Sequence, residues 1–165
     1  MIAAPVDLPG RRAAAPRSPV TQAPPTDELL LAAARAAGRH AHAPYSGWHV
    51  GAAALFAETG STIHRGANVE NGSFGLTICA ERTAVFAGVV AGGRRLTRLA
   101  LACTDASGAT VAGIVPCGAC LQVIAEFAPP DCPIVIDGGR TFRLADLLPR
   151  PFGADALARH AAAGE

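Results

Sequence analysis

Apolar residues recur along this chain in two rhythms, and the switches between them mark its elements. After Thr26, the residues Leu30, Ala33, Ala34 and Ala37 fall three or four apart, the repeat that lines one face of a helix. Thr26 suits an N-cap, Asp27 and Glu28 suit the positive end of the helix dipole, and Gly38 with Pro44 ends the run. Val50–Phe56 and Thr62–Val69 read as strands joined by a turn at Glu58–Ser61. Thr77–Val90 predicts a second helix, and Leu96–Cys103 a third, mostly apolar strand. Pro116 opens a helix reaching about Phe127, and Ile134–Ile136 and Thr141–Leu144 read as short strands. A helical turn at Leu144–Leu148 and a terminal helix at Ala154–Ala163 complete the set. The order α-β-β-α-β-α-β-β-α predicts an α/β layered fold in which helices cover a sheet.

Residues 1–25 follow neither rhythm. They hold Pro5, Pro9, Pro16, Pro19, Pro24 and Pro25 with Arg11, Arg12 and Arg17, and few large apolar side chains. Such a stretch cannot offset its ordering entropy by burial, so a disordered tail is expected ahead of one domain at 26–165. It is arginine-rich and acid-poor like a transit peptide, but its prolines break the amphipathic helix that such a signal needs.

Composition narrows the function classes. The chain has 165 residues, a length that suits one domain with a real core, and its net charge of +1 offers no footprint for a nucleic acid backbone. The best candidate for a membrane span, Leu29–Ala37, is too short and contains Arg35, so no membrane partner is expected. Five cysteines, an odd number, argue against a disulfide framework and for a reducing, cytoplasmic setting. Cys103 and Cys132, in or beside apolar runs, read as small buried hydrophobes.

The other three cysteines carry the chemistry, in Cys79-Ala80-Glu81 and Pro116-Cys117-Gly118-Ala119-Cys120. Three thiolates can hold one Zn²⁺ and leave its fourth tetrahedral position free, as a catalytic zinc requires. Glu81 is placed to move protons to and from a water in that position. The combination resembles the signature of zinc nucleobase deaminases, including their three-cysteine variant. Both motifs are expected in the first turns of helices, where free N–H groups and the dipole favour thiolates. Three thiolates around a divalent ion leave net negative charge, and Arg82 is the candidate to offset it by donating hydrogen bonds to sulfur. The alternative is a structural zinc in a non-catalytic binding module. Its fourth ligand, such as Cys103, Cys132 or the His40/His42 pair, would arrive by folding.

With these residues in place, the chain resembles the small, tetramer-type cytidine deaminases acting on free nucleosides, over roughly residues 27 to 153. Ala43-Pro44-Tyr45-Ser46 with Val50–Ala53 is similar to the family's opening segment, and Asn68–Asn71 to its ribose-binding strand end. Thr77–Ala84, and Pro116–Cys120 with Gln122-Val123, match its two zinc helices; Leu147–Pro149 and Phe152 look like its C-terminal element. The resemblance implies a three-layer α/β/α fold with a central mixed five-stranded sheet. It implies one Zn²⁺ per subunit on Cys79, Cys117 and Cys120, with Glu81 as proton shuttle. Asn68 and Glu70 would bind the ribose hydroxyls, Trp48 would pack on the nucleoside, and the Ala80 N–H would read the base edge. Phe152 would stack on the base in a neighbouring subunit's pocket, so the active sites of a homotetramer would be completed by neighbours.

The implied reaction is hydrolytic deamination of cytidine and deoxycytidine to uridine and deoxyuridine with release of ammonia, a step of pyrimidine salvage. Another aminopyrimidine nucleoside, of the antibiotic type, is the other substrate such a site could take. The chain departs from the family pattern at Ala67, where cysteine is common, at Phe74 for tyrosine and at Leu121 for arginine. The last two put a contact between subunits and the tuning of zinc or tetramer in question.

Overall fold

The structure, a computed structural model, describes residues 23–153. The expected terminal helix and residues 1–22 of the expected tail lie outside the described residues. Helix α1 (Asp27–Gly38) is capped as expected, the Thr26 hydroxyl accepting the Leu29 N–H at 3.3 Å. Strands β1 (His49–Phe56) and β2 (Ile63–Ala67) follow, then α2 (Ala80–Val90), β3 (Leu96–Thr104) and α3 (Gly118–Phe127). Strands β4 (Pro133–Ile136) and β5 (Thr141–Arg143) and the single turn α4 (Leu144–Leu147) complete the domain. The sheet order is β2-β1-β3-β4-β5, with β3 and β4 parallel and the other neighbours antiparallel. It is therefore the mixed five-stranded sheet expected, with α3 as the crossover that a parallel pair requires.

Alternation along the strands feeds two cores. Ala52, Ala54, Phe56, Leu99, Leu101, Ile134 and Ile136 pack with α2 and α3. Ala53, Leu55, Ala100, Ala102 and Val135 pack with Leu30 and Ala34 of α1. Burial on both faces is why β3 reads as an almost unbroken apolar run. Two glycines set how closely the layers approach. A Cβ on Gly51 would lie 1.9 Å from the Ala34 carbonyl oxygen, and one on Gly66 would lie 2.3 Å from the Ala84 nitrogen. Helices α1 and α2 thus rest directly on strand backbone. Arg35 holds the Asp137 carboxylate with two bonds of 2.8 and 2.6 Å, and Arg98 pairs with Asp27, tying α1 to β4 and β3.

Three element boundaries that bear on the site differ from the sequence reading. The second strand ends at Ala67, not Val69, and the second helix begins at Ala80, not Thr77. One contact explains both: Val69 and Ile78 exchange backbone hydrogen bonds of 2.9 and 3.0 Å, holding the two stretches extended. Cys79 is therefore the N-cap of α2, outside its first turn. Likewise α3 begins at Gly118, leaving Cys117 as N-cap and only Cys120 within the first turn.

Candidate active site

Cys79 and Cys117 occupy equivalent places, each the N-cap of a helix and each with no side-chain capping bond. Their sulfurs are thus free to face the neighbouring helix start. Together with Cys120 they place three Sγ atoms within 4.8 Å of one another, Cys117 and Cys120 being 3.5 Å apart. A tetrahedral zinc with Zn–S bonds of about 2.3 Å needs sulfurs roughly 3.8 Å apart, so the donor set fits after small side-chain movements. Among the described residues no fourth histidine, cysteine or carboxylate joins the cluster. Cys103 and Cys132 are buried, as expected of packing residues. A closed structural site therefore lacks its fourth protein ligand among the described residues. Cys79 and Cys117 instead border a cavity of about 330 Å³, from which a small ligand can reach the metal position.

Electrostatics at the helix starts favour a metal. The Cys79 thiol is pulled down to about 5, chiefly by its hydrogen bond with Cys120, with Arg82 adding to the effect. The same contact pushes Cys120 up, so without metal the sulfurs share a proton that a cation would displace. Arg82 points its Nη2 at the Thr77 carbonyl (3.2 Å) and the Cys79 sulfur (3.6 Å). Its Nε is buried without a hydrogen-bond partner. A part-buried guanidinium with an orphan N–H is accounted for by the anionic sulfur cluster beside it.

Glu81, the second residue of α2, is only 4% exposed and lines the same cavity. Burial pushes its carboxyl up, and the Cys79 charge adds to that. A carboxyl raised above its ordinary range is closer to both taking and giving a proton, which is the property a shuttle requires.

The polar wall of the cavity is made by Ser46, Asn68 and Glu70. Asn68 lies just past β2 and is buried; its Oδ1 accepts the Val50 N–H and its Nδ2 donates to the Trp48 carbonyl, both at 2.9 Å. The amide thus fixes the mouth of β1 and keeps one N–H for a ligand. Glu70 accepts the Tyr45 and Ser46 N–H groups on Oε2 at 2.9 and 3.2 Å, and the Ser46 hydroxyl on Oε1 at 2.5 Å. The Ser46 hydroxyl first, and the backbone donors after it, hold the carboxyl below its ordinary range. Trp48 is 46% exposed and lines the cavity, so it is not a core aromatic. Ser46 has no separate role in the sequence reading, because its partner is 24 residues away and no local pattern marks the pair.

Phe152 is the expected site residue that a single chain does not bring to the cavity. Its ring is 64% exposed, and its backbone is held by the Gln122 side chain through bonds of 2.6 and 3.1 Å. Other apolar side chains are exposed nearby in sequence or at the cavity: Tyr45 and Phe74, in edge contact at 5.6 Å, and Leu76, Val69 and Val115. Leu121, where the family pattern has arginine, is buried in the core with Ile124, so here it packs and presents no charge.

Comparison with known proteins gives a consistent result. The family model for the cytidine and deoxycytidylate deaminase zinc-binding region matches residues 24–136. A cytidine deaminase of Mycobacterium tuberculosis is 46% identical over 132 residues, 79% of this chain and 92% of that protein. One from Halalkalibacterium halodurans is 39% identical over 132 residues, 78% of this chain and 95% of that protein. Among solved structures, the cytidine deaminase of Burkholderia pseudomallei superposes with a TM-score of 0.67 at 40% identity, covering 77% of this chain and 99% of that one.

Proposed function

The chain belongs to the cytidine and deoxycytidylate deaminase family, and on that footing we propose that it hydrolyses cytidine and deoxycytidine to uridine and deoxyuridine, releasing ammonia. The observation that carries this reading is the cluster of Cys79, Cys117 and Cys120 beside a cavity that Cys79, Cys117 and the buried Glu81 line. Cys79, Cys117 and Cys120 would hold the zinc, which when bound supplies Lewis acidity that makes water nucleophilic near neutral pH. Glu81 takes a proton from the attacking water and hands it to N3 of the ring as the oxygen adds to C4. It then moves the second proton from the new C4 hydroxyl to the amino group, which leaves as ammonia while the carbonyl forms. The Ala80 N–H at the start of α2 is free to donate to the base edge. Trp48 covers the nucleoside, and Asn68 with Glu70 receives the sugar. Arg82 offsets the charge of the sulfurs.

The lining of the cavity also speaks to substrate charge. It includes two carboxylates, Glu70 and Glu81, and no arginine or histidine among the described residues. A phosphorylated substrate would meet no counter-charge, so a free nucleoside is the substrate class. The working form is a homotetramer in which Phe152 enters a neighbour's site; its exposure and that of Tyr45 and Phe74 support this. All five cysteines are free, which supports a cytoplasmic setting.

The test is ultraviolet absorbance of zinc-loaded protein with cytidine, deoxycytidine and deoxycytidine 5′-monophosphate. Turnover of the two nucleosides and not of the nucleotide is expected. Inactivity toward both nucleosides, or preference for the nucleotide, contradicts the reading.

A further inference from the structure

We propose that Ser46 is a positioning residue that sets sugar specificity: by donating its hydroxyl to Glu70 it fixes the carboxylate with one acceptor position of Oε1 left for a free sugar hydroxyl. The inference rests on the reading of the cavity as a nucleoside site. The Ser46 oxygen already accepts the Trp48 N–H at 3.0 Å, so its single proton is available to Glu70 Oε1, 2.5 Å away. Oε2 is occupied by the Tyr45 and Ser46 N–H groups. Of the roughly four acceptor positions of a carboxylate, about one remains, on Oε1.

That remaining position is at a junction. Ser46, Glu70 and Thr77 line both the cavity beside the sulfurs and a second one of about 390 Å³ that Tyr45 and Phe74 also border. A hydroxyl donor arriving there finds a fixed negative acceptor. A phosphate or an acceptor-only substituent finds repulsion and no proton. One atom, Ser46 Oγ, also fixes the backbone of Trp48, so the sugar contact and the aromatic wall are held together. Removing the hydroxyl frees Oε1 to turn and leaves the Trp48 N–H without its acceptor.

Steady-state kinetics of Ser46→Ala, Ser46→Thr and Ser46→Val, with cytidine and with 2′,3′-dideoxycytidine, test this. For Ser46→Ala with cytidine, KM should rise about tenfold with kcat within roughly twofold, the loss of one hydrogen bond to a charged group. With dideoxycytidine, which lacks the hydroxyl that Glu70 would accept, the penalty should shrink to about twofold or less. Ser46→Thr should restore the KM for cytidine, and Ser46→Val, of the same shape without the hydroxyl, should not. Equal penalties on both nucleosides, a loss confined to kcat, or equal behaviour of the threonine and valine variants would each overturn the Ser46 role alone. Wild-type inactivity toward both nucleosides would overturn the deaminase reading, and this role with it.

Discussion

The cavity has two ends built on different principles. At the sulfur end, every group stands at the start of a helix resting on the sheet: Cys79 and Glu81 on α2, Cys117 and Cys120 on α3. Ala80 and Ala84 are fully buried there, and Gly66 lets α2 touch the backbone of β2. At the sugar end, Ser46, Trp48 and Glu70 lie on connecting segments, placed by hydrogen bonds between residues 24 apart. Tyr45, Phe74 and Phe152 are exposed at 56%, 73% and 64%. On the proposed function, the chemistry falls to groups fixed at helix starts, and recognition to loops held by long-range hydrogen bonds.

The largest effect should come from breaking the sulfur end directly. Cys117→Ala or Cys120→Ala should lose the metal, measured as zinc per chain. Turnover should fall about a thousandfold or more, the several kcal/mol that a Lewis acid contributes. A subtler break at the same end is Gly66→Ala, whose Cβ would lie 2.3 Å from the Ala84 nitrogen and 2.5 Å from the Ala80 carbonyl oxygen. Urea unfolding should show about 3 kcal/mol of destabilisation, because backbone on both sides cannot yield as a side chain can. Unchanged stability would mean that α2 is not seated as described.

The sugar end should fail differently. Phe152→Ala should raise KM for cytidine about tenfold, as loss of one aromatic stacking partner does, with zinc content unchanged. Native mass measurement on the same sample, beside wild type, reports the oligomeric state of each. If zinc is lost as well, the two ends are not separable.

The smallest effect should touch neither end. His64 on β2 is 8% exposed, in edge contact with Phe56 at 5.8 Å and sharing a 2.9 Å hydrogen bond with the Thr59 hydroxyl. Burial lowers its pKa below the usual 6.5. The unfolded chain therefore binds the proton first, and stability present above 6.5 is lost as pH falls through the lowered folded value. Tm should drop modestly over that interval in wild type and less in His64→Gln, with KM for cytidine equal in the two proteins at neutral pH.

The sulfur end is the more legible in sequence for the same reason that it is rigid. Cys79 and Glu81 are two residues apart and Cys117 and Cys120 three, so the chemistry is written locally. Thr26 as a cap and the apolar run of β3 are local signals too, and both hold. What local pattern misses is long-range pairing. The Val69–Ile78 bridge, which makes Cys79 an N-cap, joins residues on either side of a loop. The Ser46–Glu70 and Gln122–Phe152 contacts span 24 and 30 residues. Leu121 reads as a departure from the family pattern in sequence and as core packing in the fold, because only the fold tells which side of α3 it occupies.

The central claim, that Glu81 moves the protons at a three-sulfur metal site, is tested most directly by one comparison. Loss of cytidine absorbance is followed for wild type and Glu81→Gln at matched zinc content and matched circular dichroism. Turnover by Glu81→Gln should be reduced about 10²–10⁴-fold, the range for removing a general acid–base group. Full turnover by Glu81→Gln at equal zinc would contradict it.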